Sequence, residues 1–185
     1  QSTYLRLTSK RIDQGLLVLP SSDEDKEKLR LQVLKGAYCL RHTFSGEEED
    51  NNRVTLIAVG AMVPEAVEAS KNLMEEGIQT TVIVVTGPGP LYRHYMEGTK
   101  EAVETGANLD TVVSELFPKA EFGAPVVTVA DAHPHSLAWV GGALRSKIIP
   151  LGVADWGQSG NRDELYREYG TDVESIVKAC ISVLD

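Results

Sequence analysis

The stretch Val54-Thr-Leu-Ile-Ala-Val-Gly60, continued by Ala61-Met-Val-Pro-Glu-Ala-Val-Glu-Ala-Ser70 and, after Gly77, by Thr80-Thr-Val-Ile-Val-Val85, decides the fold. Val54 to Val59 is a short, β-branched and nearly continuous apolar run, the pattern of a strand covered on both faces. Gly60 turns the chain. From Val63 onward Val67, Leu73 and Met74, with the small Ala66 and Ala69, recur at helical spacing, while Glu65, Glu68, Lys71 and Glu75 fall mostly on the other side. Gly77 stops that helix, and residues 80–85 resume the β-branched run. Strand, amphipathic helix and strand together make a parallel βαβ unit, whose crossover is expected to be right-handed.

Working back from this unit, Tyr38, Leu40 and Phe44 alternate with Cys39, Arg41 and Thr43, the period-two signature of a half-buried strand. The acidic loop that follows, residues 45–53, is too short for a parallel crossover, so this strand is expected to pair antiparallel with the Val54 strand. Before it, a helix over residues 27–35 carries Leu29, Val33 and Leu34, has several candidate N-caps in residues 21–25, and ends at Gly36. Tyr4 to Thr8 reads as a strand without a local partner, separated from the rest by a connector.

Working forward, Gly87-Pro-Gly-Pro90 is a stiff turn that opens a helix at Leu91 with Tyr92, Tyr95 and Met96. Residues 98–122 read as a surface excursion with a helix over 110–116 ended by Pro118. Pro125 to Ala130 is a third parallel strand, and Asp131 to His135 its exit loop. Residues 136–145 form an Ala- and Gly-rich helix, 147–153 a last strand, and 161–169 and 172–184 two helices. The alternation predicts an α/β three-layer sandwich, its sheet mostly parallel with one antiparallel strand. Ligand sites in such sheets lie at the carboxyl ends of the strands, here Gly60, Thr86-Gly87, residues 131–135 and residues 155–159.

Charge and composition restrict what such a fold can serve. The net charge of −9 disfavours nucleic acid and anionic membrane surfaces, which are bound through Lys and Arg. No apolar run reaches about 18 residues, so no membrane span is expected. Cys39 and Cys180 lie far apart with no metal-type spacing, which predicts two buried thiols in a reducing cytoplasm.

Chemistry has few candidates. Asp131, His133 and His135 could ligate a metal or move protons, but His42 and His94 sit on elements with no reason to converge on them. The preferred reading has Asp131 and Ser136 capping and fixing the loop. The Gly87 to Pro90 loop could face an anion, yet its two prolines remove two donors, and a rigid turn is preferred. The Ala61-Met62-Val63 turn lacks polar side chains, no serine lies in a nucleophile elbow, and neither cysteine has a basic neighbour. In Asp155-Trp-Gly-Gln-Ser-Gly-Asn-Arg162, Ser159 and Asn161 are candidate caps. Trp156 is expected to close the core or enter a subunit contact, with it and Trp139 largely buried. No catalytic, cofactor-binding or metal-binding residue is assigned.

The motif order resembles the carboxy-terminal domain of the thiamine-diphosphate-dependent transketolase superfamily. Gly36-Ala-Tyr-Cys-Leu40, then Val54 to Ala61 leading into Val63-Pro-Glu-Ala-Val-Glu-Ala69, carries the resemblance. It continues through Met74 to Val82, Asp155 to Arg162 and Val173 to Ala179. Within the superfamily the Asp-x-Gly-x-Ser-x-x-Arg pattern at 155–162 and the long excursion between Arg93 and Phe122 look most like the homodimeric E1 component of pyruvate dehydrogenase. Gly87-Pro88 and Asp131-Ala132 depart from that component's pattern.

The resemblance implies that residues 1–22 are the end of a preceding pyrimidine-binding domain plus a linker, and that residues 23–185 are the C-terminal domain. It implies a non-catalytic, dimer-supporting role in a parent enzyme, the chain alone being no enzyme. Thiamine diphosphate and magnesium would be held by the parent's other domains, not by this one. That parent would decarboxylate pyruvate and pass the acyl unit to a lipoyl group. Implied partners are the preceding domains, a homodimer partner and a lipoyl acyltransferase, in the cytoplasm. The alternatives are a transketolase parent and a stand-alone small-ligand-binding module.

Overall fold

The computed structural model describes residue 8 and residues 10–43, 52–109 and 111–184. The expected strand at Tyr4 lies outside the described residues, as does most of the acidic loop. Among the described residues five strands form one sheet: β1 (Ala37–His42), β2 (Arg53–Val59), β3 (Gln79–Val85), β4 (Val126–Val129) and β5 (Ile148–Leu151), in the spatial order β1-β3-β2-β4-β5. Around it lie helices α1 (Asp23–Lys35), α2 (Val63–Glu75), α3 (Pro88–Thr105), α4 (Val112–Leu116), α5 (His135–Leu144), α6 (Arg162–Glu168) and α7 (Val173–Leu184). None of these helices is long and apolar enough to cross a membrane.

The Val54 to Thr86 stretch forms the unit its pattern predicts. β2 and β3 pair in parallel with Val54 opposite Thr80 and Val59 opposite Val85, joined by α2. Alternate residues of β2 point to opposite sides, and each side has its own core. Leu56 and Ala58 pack with α2 and α7, through Leu73, Ile176 and Cys180. Ile57 packs with α3, α4 and α5, through Leu91, Leu116 and Leu137. The result is the expected three-layer sandwich. Burying each such aliphatic side chain contributes about 1.5–3 kcal/mol.

The first strand takes a different place from the expected one. β1 is antiparallel, but it pairs with β3, with Ala37 opposite Val85 and His42 opposite Thr81, and not with β2. The direction follows from the short connection. The neighbour follows from the βαβ crossover, which lays β3 against one side of β2 while β4 takes the other, with Thr55 opposite Val126. β1 is thereby left the outer edge of β3.

Local chemistry sets the junctions. Ser22 caps α1 by accepting from the Asp25 amide at 3.1 Å. Gly36 ends it at φ 115°, where a Cβ would lie 2.9 Å from the Gly87 carbonyl oxygen. That approach lets the Gly36 carbonyl accept from the amides of Thr86 and Gly87 at 2.9 and 3.2 Å, locking α1 to the start of α3. α1 buries none of its residues, and Leu31 and Leu34 are exposed, so the apolar stripe read in the sequence lies open over much of its length. The Gly87 to Pro90 segment is not a turn ahead of a helix. Its prolines occupy the first turn of α3, where missing amide hydrogens cost nothing. That helix runs on to Thr105, absorbing the first part of the excursion.

Candidate functional site at the strand ends

From β2 the chain moves outward to β3 on one side and later to β4 on the other, so the topological switch point lies between the carboxyl ends of β2 and β4. A crevice opens there in doubly wound sheets. In this molecule it is a cavity of about 720 Å³, bordered by Ala61 after β2, Asp131 and His133 after β4, and Arg162, Tyr166 and Tyr169 from α6 and the residue that follows it. Its floor depends on Gly152. A Cβ there would meet the Ala132 carbonyl oxygen at 2.3 Å, and the Val153 amide donates to that same oxygen at 3.0 Å.

One wall comes from the connector before α1. Lys10 Nζ donates to the Ala61 carbonyl at 3.1 Å, forms an ion pair with Glu65 and lies 5.3 Å from the centre of the Tyr166 ring. Both charged side chains are largely buried, at 12% and 16% exposure. Ammonium, carboxylate and aromatic face therefore compensate one another away from water. Glu65 Oε2 is buried with no hydrogen-bond partner among the described residues. Burial, with the carboxylates of Glu65 and Asp131 nearby, pushes the Tyr166 phenol above its ordinary range, so it remains a neutral donor.

The opposite wall is the loop after β5. The Tyr169 hydroxyl donates to the Trp156 carbonyl at 3.0 Å and accepts from the Gln158 amide at 2.8 Å, clamping the loop at two points. Asn161 caps α6 through Asp163, as expected. Trp156 itself departs from expectation. Its indole is 95% exposed, because the clamp holds the backbone with the side chain turned outward. Trp139 is partly buried, packed edge-on to Tyr92.

The loop after β4 is fixed differently from the sequence reading. Neither Asp131 nor Ser136 caps α5, whose N-cap position is Pro134. The His133 Nδ1 instead accepts from the His135 amide at 3.1 Å, and its carbonyl accepts from the Ser136 amide at 3.0 Å. Pro134 has no amide hydrogen, so the next free amide is captured by the imidazole just before the helix. Asp131 stays exposed at the cavity rim.

The other candidates do not join this site. His42 is on β1 and His94 on α3, and no group of three His, Cys, Asp or Glu among the described residues could hold a metal. Cys39 and Cys180 are both free, Cys180 buried and Cys39 half-buried. Burial pushes their thiols up to about 11 and about 12, and the Glu121 carboxylate adds to the effect at Cys39. Such thiols are protonated at neutral pH and poor nucleophiles. Lys10, Tyr166 and Tyr169 were not singled out in the sequence. For the tyrosines the (i, i+3) spacing on a short helix was an available signal, whereas Lys10 lies in a connector with no periodicity.

The matches to known proteins follow the same lines. Residues 46–176 match the family described as transketolase, C-terminal domain. A protein described as a putative transketolase C-terminal section, from Methanocaldococcus jannaschii, is 28% identical over 84% of this chain and 42% of its own length. A 1-deoxy-D-xylulose-5-phosphate synthase from Clostridium beijerinckii is 29% identical over 79% of this chain and 22% of its own. The chain thus spans less than half the length of these relatives. Among solved structures, a split-gene transketolase in its inactive β4 tetramer shares the fold, with TM-score 0.53 and 22% identity over 81% of this chain and 42% of that one. So does the transketolase of Campylobacter jejuni, with TM-score 0.55 and 20% identity over 80% of this chain and 18% of that one. With the family match running from the loop before β2 into α7, and the same fold recurring in these structures, the chain belongs to the transketolase C-terminal domain family.

Proposed function

We propose that this chain is the non-catalytic assembly domain of a thiamine-diphosphate-dependent enzyme, with residues 1–22 belonging to a preceding pyrimidine-binding domain and its linker. The family match across most of the chain, set against relatives of which it covers less than half, carries the proposal. The described residues do not fit thiamine diphosphate and its magnesium. Among the described residues no group of three His, Cys, Asp or Glu could hold the metal, and Gly87 to Pro90 lead into the proline-blocked first turn of α3. No step is therefore derived through the cofactor, which would be supplied with its ligands by the parent's other domains.

The description of one relative as a transketolase C-terminal section supports a transketolase-type parent. A second reading, a pyruvate dehydrogenase E1 that hands its acyl unit to a lipoyl acyltransferase, is supported by the Asp-x-Gly-x-Ser-x-x-Arg pattern at 155–162, which here forms the clamped cavity wall. A homodimer in the cytoplasm agrees with the open apolar helix faces and the two free thiols. Isothermal titration of thiamine diphosphate with magnesium into the chain is expected to show no saturable heat. Saturable binding would remove the assembly-domain reading. A ligand-binding module centred on the switch-point cavity would then stand in its place.

A further inference from the structure

We propose that His133 is a proton-operated cap on α5: as a neutral imidazole it holds the first turn of the helix and the exit loop of β4, and as an imidazolium it releases them. This gives the Asp131-Ala-His-Pro-His135 stretch a task that neither metal ligation nor the assembly role accounts for. An imidazole nitrogen accepts a hydrogen bond only through a lone pair. His133 Nδ1 accepts from the His135 amide at 3.1 Å, so the ring is neutral and its one proton is on Nε2. A second proton can enter only at Nδ1, the atom to which the amide points.

Protonation turns that acceptor into a donor facing an N–H. It also places a positive charge at the N-terminus of a ten-residue helix, where the dipole disfavours it. No other side chain takes over, because the N-cap position is Pro134 and carries no side-chain hydrogen bond. His133 is exposed, so the proton comes directly from solvent. The surrounding charges are mixed. The cavity that His133 lines also holds Asp131, Lys10, Arg162, Tyr166 and Tyr169, and the His135 ring centre lies 6.4 Å from that of His133. Asp131 attracts an imidazolium, Arg162 and a protonated His135 oppose one, and Glu65 and Asp163 already pair with Lys10 and Arg162. The tyrosines are neutral donors.

The loop and the first turn carry what lies on either side of them. Before the cap, the Ala132 carbonyl accepts from the Val153 amide at 3.0 Å at the cavity floor. After it, the Ser136 carbonyl accepts from Trp139 Nε1 at 3.1 Å, and the Trp139 ring centre lies 5.3 Å from that of Tyr92 and 4.8 Å from that of Tyr95. Losing the His135 amide from its acceptor loosens Ser136, and with it the hydrogen bond that fixes the indole. The proton uptake at the rim of the switch-point cavity is thus read out at Trp139.

The test follows Trp139 emission between pH 8 and pH 5, on either side of the ordinary imidazole range, in the full chain carrying Trp156→Phe so that Trp139 is its one indole. Hydrogen exchange at the His135 amide, corrected for the intrinsic rate, is measured alongside. Acidification is expected to change the emission reversibly and to lower His135 protection about fivefold, the size of one helix cap. His133→Asn, whose amide oxygen accepts without taking up a proton, should hold both readouts level across the range. His135→Gln should leave the transition in place. A transition that survives in His133→Asn, or vanishes in His135→Gln, assigns it to another group and overturns the cap. So does a flat profile in the Trp156→Phe chain, or a His133 ring whose nitrogen-15 shifts at pH 8 put the proton on Nδ1.

Discussion

Glu121 has 2% of its surface exposed, and among the described residues no Lys or Arg pairs with its side chain. Thr55 on β2 donates to one of its oxygens and Thr81 on β3 to the other at 2.8 Å, while His42 Nδ1 lies 4.0 Å away from the edge strand. Two hydroxyl donors thus satisfy both oxygens of a buried carboxyl group. The same carboxylate reinforces burial in raising the Cys39 thiol to about 11, and burial alone raises Cys180 to about 12. Both values lie above those of the unfolded chain, so the folded state keeps these protons longer. The stability they contribute is complete below about pH 8.5 and is lost as pH rises through the folded values. Denaturant titrations are expected to show stability falling by about 3–4 kcal/mol between pH 8 and pH 10, roughly 2 from each thiol, with a Cys39→Ser/Cys180→Ala variant losing most of that slope. A wild type as stable at pH 10 as at pH 8 would contradict the assignment. Nothing in the sequence announces Glu121: it sits between Pro118 and Gly123 in a segment without periodicity, and only the sheet brings Thr55 and Thr81 to it.

Elements were legible where a segment's pattern is decided by its own burial. The β-branched runs of β2 and β3 and the two-sided spacing of α2 are each dictated by immediate neighbours, and the structure reproduces them to within a residue or two. Pairing is a property of the whole sheet, which is why the direction of β1 could be read and its neighbour could not. The connector before α1 shows the same division. Its sequence reads as linker, yet Lys10 is pinned at Ala61 and Glu65 and faces Tyr166, and Leu16 and Leu17 pack against the α2/α7 core. Replacing Lys10 with Ala leaves Glu65 buried without its countercharge, at a cost of about 3 kcal/mol. The expected outcome is a lower melting temperature together with faster proteolytic cleavage within residues 8–22. The Lys10→Ala/Glu65→Gln double variant should recover part of the loss. Cleavage and melting unchanged in the single variant would show that the connector is held by Leu16 and Leu17 alone.

At the scale of the molecule, the switch-point cavity could be located in sequence only as a set of strand ends; its walls could not. They are made by a lysine from before α1, by tyrosines of and just after a seven-residue helix, and by a loop whose tryptophan points outward. The first of these walls depends on contacts between segments far apart in sequence, Lys10 meeting Ala61, Glu65 and Tyr166. The same long-range wiring makes the two cores one cooperative unit. Leu56 and Ile57 are adjacent in β2 yet lie in different cores, and both are fully buried. Losing either core strips one face of the central strand, whose hydrogen bonds to β3 and β4 the other core also needs. Unfolding is therefore expected to be a single transition. Trp139 reports the α3/α5 side through its emission, and Cys180 reports the α7 side through thiol labelling. Their denaturant midpoints should coincide, and Leu56→Ala and Ile57→Ala should each lower stability by about 2–5 kcal/mol while moving both probes together. If Ile57→Ala shifted the Trp139 transition and left Cys180 protected, the layers would unfold separately.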